Sequence, residues 1–141
     1  MIEMALRVVL LGDAGVSSLI GSRCYPVEAP QAPIYPLVIY QEITNESEYA
    51  MDGPAAFARA RFQFDCDAKT AIESQALKRA VRDALGGFQG KVAIPGLSPA
   101  VSVVIQGAFL VMGRDETHGA LQRSGTRILR KSLDFNIWYE E

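Results

Sequence analysis

One histidine and two cysteines are all that 141 residues offer of the imidazole and thiol side chains that bind zinc or bridge loops. Cys24 and Cys66 are far apart, with no C-x-x-C spacing and no His cluster, so neither a zinc site nor a disulfide framework is indicated. Reduced thiols are the expectation. Long hydrophobic runs are missing too: none approaches the roughly 20 apolar residues needed to span a bilayer. Acidic Glu3 stands where a secretory signal would carry positive charge, so the chain is expected to work without crossing a membrane. A basic excess is also lacking, with 14 Lys+Arg against 16 Asp+Glu, a net charge of −2 and a pI near 5.4. Proteins that hold nucleic acid draw affinity from counterion release at the phosphates, and this balance is the wrong sign for that task.

What remains is an ordinary globular composition, 49% hydrophobic and 21% charged, which excludes disordered, collagen-like and disulfide-stapled classes. The length suits a single domain over residues 1–141 that builds its own core.

Ile2, Leu6, Val9 and Leu10, with Ala5 beside them, form one helical stripe that Gly12-Asp13 interrupts. Asp13 then caps a further turn carrying Val16, Leu19 and Ile20, which stops at Gly21 before an extended Cys24-Tyr25-Pro26. Pro26, Pro30, Pro33 and Pro36 forbid helix and disfavour a central strand, so this stretch reads as a connector over the surface. Residues 37–44 are rich in β-branched and aromatic side chains and read as a strand, with a turn at Asp52-Gly53-Pro54. From Ala58 to Asp67, Ala58, Ala60, Phe62, Phe64 and Cys66 alternate with Arg59, Arg61, Gln63, Asp65 and Asp67, giving one core face and one polar face.

Thr70-Ala71-Ile72-Glu73 has the form of a capping box. The helix it opens carries an apolar stripe of Ile72, Ala76, Leu77, Ala80, Val81, Ala84 and Leu85, and Gly86-Gly87 ends it. Gly87 to Pro99 reads as a connector, and Val101 to Met112 as a long strand. That strand's second half is apolar on both faces, so part of its outer face must be covered. Gly113 to Thr126 reads as a polar, mobile hairpin tip, and a last strand runs from Leu129 through Tyr139. The expected fold is α+β: a mainly antiparallel four-stranded sheet with helices packed on one face, in the order α-β-β-α-β-β.

The motif that most invites a chemical reading is Gly12 to Ser18, which looks like a phosphate loop. Such a loop needs a second Gly, then Lys, then Ser or Thr, so that amides, a cation and a Mg²⁺-binding hydroxyl meet the phosphates. Those places hold Ser17, Ser18 and Leu19. A small nucleotide-binding or other enzyme domain is the alternative this degenerate loop keeps open, against a plain helix-break-helix. His118 sits in a polar loop beside Asp115 and Glu116 with no nucleophile setting around it, and reads as a solvated side chain. Asp65 and Asp67 share the polar face of a strand end. Without a third ligand near in sequence, a capping and solubilising role is expected for them rather than a metal site.

Charge is unevenly spread. Residues 1–58 contain two basic residues and seven acidic ones, while 59–141 contain twelve and nine. Solvated faces account for this, and so does electrostatic complementarity between copies. On the second reading Glu42, Glu46, Glu48, Arg59 and Arg61 are the candidate subunit-interface residues. Arg114, Asp115, Glu116, His118 and Arg123 are the candidate partner-docking residues of the loop.

Several stretches together resemble one family, the tail-completion or tail-terminator proteins of long-tailed phages and gene transfer agents. They are Ile2-Glu3-Met4-Ala5-Leu6-Arg7 with Gly12-Asp13-Ala14-Gly15-Val16, Gly21-Ser22-Arg23-Cys24-Tyr25-Pro26, and Pro36-Leu37-Val38-Ile39-Tyr40-Gln41. Tyr49 to Pro54, Ala60 to Asp65, Ala80 to Leu85 and Arg130 to Tyr139 continue the match in the same order. The Gly87 to Pro99 connector and the tip around His118 depart from it.

The resemblance implies a non-enzymatic virion protein with no catalytic, cofactor or metal residues. It would cap the head-proximal end of the tail tube as a ring of six subunits and join it to the neck, after assembly in the host cytoplasm. Its implied partners are further copies of itself, the major tail tube protein and a head-completion or stopper protein. DNA would pass through without specific binding, which a mildly acidic protein favours.

Overall fold

The computed structural model describes residues 1–50, 53–117 and 128–140. Three helices, α1 (Ile2–Gly12), α2 (Ala14–Ile20) and α3 (Ala71–Leu85), accompany six strands: β1 (Cys24–Pro26), β2 (Leu37–Ala50), β3 (Gly53–Ala68), β4 (Gly90–Ile94), β5 (Val101–Thr117) and β6 (Leu129–Glu140). The strands form one mixed sheet in the order β1-β2-β3-β6-β5-β4, curved into a half-barrel. The expected four-stranded antiparallel sheet in the order α-β-β-α-β-β is therefore incorrect.

Two short strands make the difference. Cys24–Pro26 runs parallel to β2, with Cys24 opposite Val38 and Pro26 opposite Tyr40. Gly90–Ile94 lies inside the Gly/Pro-rich connector and pairs antiparallel with Val101–Ile105. Both are held by neighbours distant in sequence, so local composition carries little trace of them. The third change is length. β5 continues through Gly113, Arg114 and Asp115 to Thr117, because β6 supplies partners down to Leu129.

The turn chemistry at the helices follows the sequence. Asp13 accepts a hydrogen bond from the Val16 amide at 3.1 Å and so caps α2 directly after α1 ends. Thr70 Oγ1 accepts from the Glu73 amide at 3.2 Å and caps α3. A capping oxygen of this kind satisfies one of the four free N–H groups at a helix start.

The core lies between the helices and one face of the sheet. Ile2, Leu6 and Leu10 of α1, Val16 and Ile20 of α2, and Leu77, Val81 and Leu85 of α3 share one cluster with Phe62, Phe64, Phe135 and Ile105. Phe64 and Phe135 meet edge to face with ring centroids 5.8 Å apart, an arrangement favoured by the ring quadrupoles. Ile72 departs from the expected stripe: it is 83% exposed, and Ser74 is buried instead. The Ser74 hydroxyl donates to the Ala71 carbonyl at 2.9 Å, which removes the cost of burying it.

Candidate assembly surface

The sheet face turned away from the helices carries a continuous polar ladder. β3 presents Arg59, Arg61, Gln63, Asp65 and Asp67 on this face, and β6, running antiparallel, presents Arg130, Ser132, Asp134 and Trp138 opposite them. Cross-strand neighbours on one face lie close enough for their side chains to interact. Arg130 grips Asp67 with two parallel hydrogen bonds, Nε to Oδ1 at 2.8 Å and Nη2 to Oδ2 at 3.0 Å. It also stands 3.7 Å from Asp65. Asp65 accepts from the Ser132 hydroxyl at 2.6 Å and from Gln63 Nε2 at 2.9 Å. Arg61 Nη2 donates to Asp134 at 2.8 Å, and Arg114 Nη2 of β5 donates to Asp134 at 3.4 Å and to Gln63 at 3.1 Å.

Asp65, Asp67, Ser132 and Asp134 are all buried. Asp65 and Asp67 are therefore not the capping and solubilising pair that their place at a strand end suggests. They are partners in a buried network, and buried carboxylates persist when their lone pairs are met by charged donors. The proline-rich connector helps to cover them, since Val27, Pro33 and Tyr35 line a pocket of about 220 Å³ together with Ile39, Asp67 and Arg130.

The residues nominated for contacts between subunits largely find partners within the chain. Glu46 forms an ion pair with Arg59 across the β2–β3 register, and Arg59 also lies 5.2 Å over the Trp138 ring, a cation–π contact. Arg61 joins Asp134 as described, and Glu42 accepts from Asn45 Nδ2 at 3.2 Å. Asn45 also donates to the Tyr139 hydroxyl at 2.6 Å. Glu48 lies on β2 with its side chain outside the described residues. Arg114 and Asp115, expected in a loop, lie on β5. Asp115 accepts from Lys131 Nζ at 2.8 Å, and that lysine holds its carboxyl below the usual range. The Glu116 side chain, His118 and Arg123 lie outside the described residues.

Sequence reasoning marks Arg130 only as part of a basic Arg127/Arg130/Lys131 surface facing another copy, and misses Asp134 and Ser132 as members of this one. Their signal was present: β3 reads basic then acidic along its polar face and β6 also reads basic then acidic, so antiparallel pairing sets opposite charges together. Four consecutive apolar residues on β5, Phe109 to Met112, run beside this surface, with Phe109 and Met112 on its face and Leu110 on the other. Phe109 is 55% exposed, and Leu110, Val111 and Met112 are each exposed as well.

Other candidate sites are spare in chemistry. The Gly12 to Ser18 segment links two helices, whereas a phosphate loop follows a strand. Beside it, Val8, Val9, Gly12, Asp13, Ala84, Phe88, Lys91, Val92 and Ala93 line a groove of about 420 Å³, with Asp13 and Lys91 its only charged members. Asp13 is engaged as a helix cap. Among the described residues no group of three or more His, Cys, Asp or Glu is placed to hold a metal ion, and no helix is long and apolar enough to cross a membrane. Both cysteines are buried and free. Burial pushes the Cys24 thiol up to about 12 against a small opposing pull from Arg7, and burial with Asp67 and Asp65 nearby raises Cys66 as well.

A small helix-backed sheet with a self-neutralised polar face and an uncovered apolar strand is the build of a component made to meet other chains. The same fold occurs in a chain of a structure described as the virion of a native gene transfer agent particle: the TM-score is 0.66 at 17% identity, covering 97% of this chain and 92% of that one. The chain belongs to the family of tail completion protein gp17, whose model matches residues 4–140. No curated protein sequence matches it.

Proposed function

We propose that the protein is a non-enzymatic component of a tailed particle that caps the head-proximal end of the tail tube as a ring, with six copies as the working number, and joins the tail to the neck. The family match over residues 4–140 carries this reading. The fold shared with a virion chain supports it.

Its partners on this reading are further copies of itself, the major tail tube protein and a head-completion or stopper protein, all assembled in the host cytoplasm. Glu42, Glu46, Glu48, Arg59 and Arg61 flank the contact between copies, and of the segment from Arg114 to Arg123 the part beyond Thr117 docks the tube or neck. The ladder suits a ring that surrounds DNA. Its arginines are held by carboxylates, which leaves little net positive field to retain phosphates, and the net charge of −2 agrees.

Deleting the gene and imaging the particles by electron microscopy tests the reading. Heads and tails that remain unjoined, restored by the gene supplied in trans, are the expected result. Normally joined, full-length particles without the protein would overturn it.

A further inference from the structure

Both long edges of the sheet are stepped. On one side β1 covers β2 only as far as Tyr40, where the Val27 amide donates to the Tyr40 carbonyl at 2.9 Å. Beyond it, Gln41 to Ala50 has no strand neighbour on its outer side among the described residues. On the other side β4 covers β5 from Val101 to Ile105, and the Gly87 amide donates to the Ala108 carbonyl at 2.8 Å. Beyond that, Phe109 to Thr117 has none. The two free edges are nearly equal in length, ten residues against nine.

An uncovered strand edge is a template for pairing, and proteins usually blunt it with charge, proline or a cover. The β5 edge carries four exposed apolar residues: Phe109 and Met112 on the polar face, opposite Asn136 and Asp134, Leu110 on the other face, opposite Phe135, and Val111 at the bulge between them. Burying it requires a strand alongside rather than a layer above.

We propose that this edge of β5 pairs antiparallel, head to tail, with the free edge of β2 from a second copy of this chain. Polarity supports the match. The pairs β2–β3, β3–β6 and β6–β5 are each antiparallel, so β2 and β5 point in opposite directions. A neighbour related by rotation about an axis along the sheet therefore presents β2 antiparallel to β5. The steps support it too. Gln41 is level with Met112 through Gln63 and Asp134. Sliding the neighbour until Gln41 meets Thr117 carries β1 past one end of the junction and β4 past the other. That displacement is five residues, about 17 Å, and arises by pure rotation when strands are inclined to the ring axis, as in closed barrels. This deepens the ring reading and rests on it for the direction in which copies repeat.

Engineered cross-links in the purified full chain test the pairing. Cys24 and Cys66 are buried, so cysteines placed at the exposed positions Thr44, Ser47, Leu110 and Val111 react without competition. On oxidation, mixing Ser47→Cys with Leu110→Cys or Val111→Cys is expected to give a disulfide dimer that no single variant gives alone, while Thr44→Cys, three or more residues out of register with both, gives none with either. The double variant Ser47→Cys/Val111→Cys is expected to give a ladder of multimers, while melting curves of all variants match the parent. A dimer formed by Val111→Cys alone would mean that like edges meet, and would overturn the proposal. So would the absence of a dimer in both Ser47→Cys mixtures. Mass spectrometry of purified particles keeps the two readings apart: a protein missing from particles but cross-linking as expected would sink the tail role and leave the edge pairing intact.

Discussion

The ladder on β3 and β6 and the free edge of β5 differ in what they leave unsatisfied. The ladder holds Arg59 and Arg61, two of the five charges that first suggest an interface, and its carboxylates Asp65, Asp67 and Asp134 already have arginine partners in the same chain. The β5 edge holds almost no charge in its exposed apolar stretch and leaves four large side chains in solvent with a row of backbone groups beside them. Abundant charge therefore marks internal consolidation here. The surface awaiting a partner is marked by apolar exposure together with unpaired backbone.

Substitutions sharpen that contrast. The largest effect is expected at Arg130, because Arg130→Ala leaves Asp67 and Asp65 buried without their cation. Removing one partner of a buried pair costs about 3–5 kcal/mol, read as a lowered urea midpoint. Asp134→Ala comes next, since it strips the partly exposed Arg61 and Arg114 of a shared buried acceptor. A loss of about 1–3 kcal/mol is expected in the same measurement. Arg59→Ala is milder: its ion pair with Glu46 is solvent-exposed, and such pairs contribute about 0–1 kcal/mol, with the Trp138 contact adding about 0.5–1.

Val111→Lys is expected to leave stability within about 0.5 kcal/mol, while sedimentation shows self-association lost at concentrations where the parent associates. A charge on the edge blocks pairing without touching the core. The smallest effect concerns Asp115. Its carboxyl is held below the ordinary value by Lys131, so its contribution is fully present above the unfolded carboxyl pKa near 3.9 and is lost as pH falls through the lower folded value. Asp115→Asn is expected to flatten that part of the pH–stability curve slightly and to leave neutral pH nearly unchanged.

Much of the fold was legible where local pattern and final environment agree. The β3 alternation names the buried Ala60, Phe62, Phe64 and Cys66 together with the partly buried Ala58, and Asp13 and Thr70 cap the helices their positions announce. The sheet itself was misread because β1 and β4 are three and five residues long and are held in place by partners elsewhere in the chain. Residues 113–117 look like a loop because Gly113, Asp115 and Glu116 are of types depleted in strands; pairing with Leu129 to Leu133 overrides it. The polar ladder needed the β3–β6 register, which no single stretch contains. The uncovered character of the β5 edge was half legible, in a strand apolar on both faces whose Phe109 to Met112 stand exposed.

Hydrogen–deuterium exchange on the full chain, dilute and then concentrated enough to self-associate, tests the contrast most directly. The account predicts that amides of 109–117 and 41–50 gain protection on association while those of β3 and β6 between Ala60 and Leu133 stay as slow as before. Protection gained across the β3–β6 ladder with the β5 edge unchanged would contradict it.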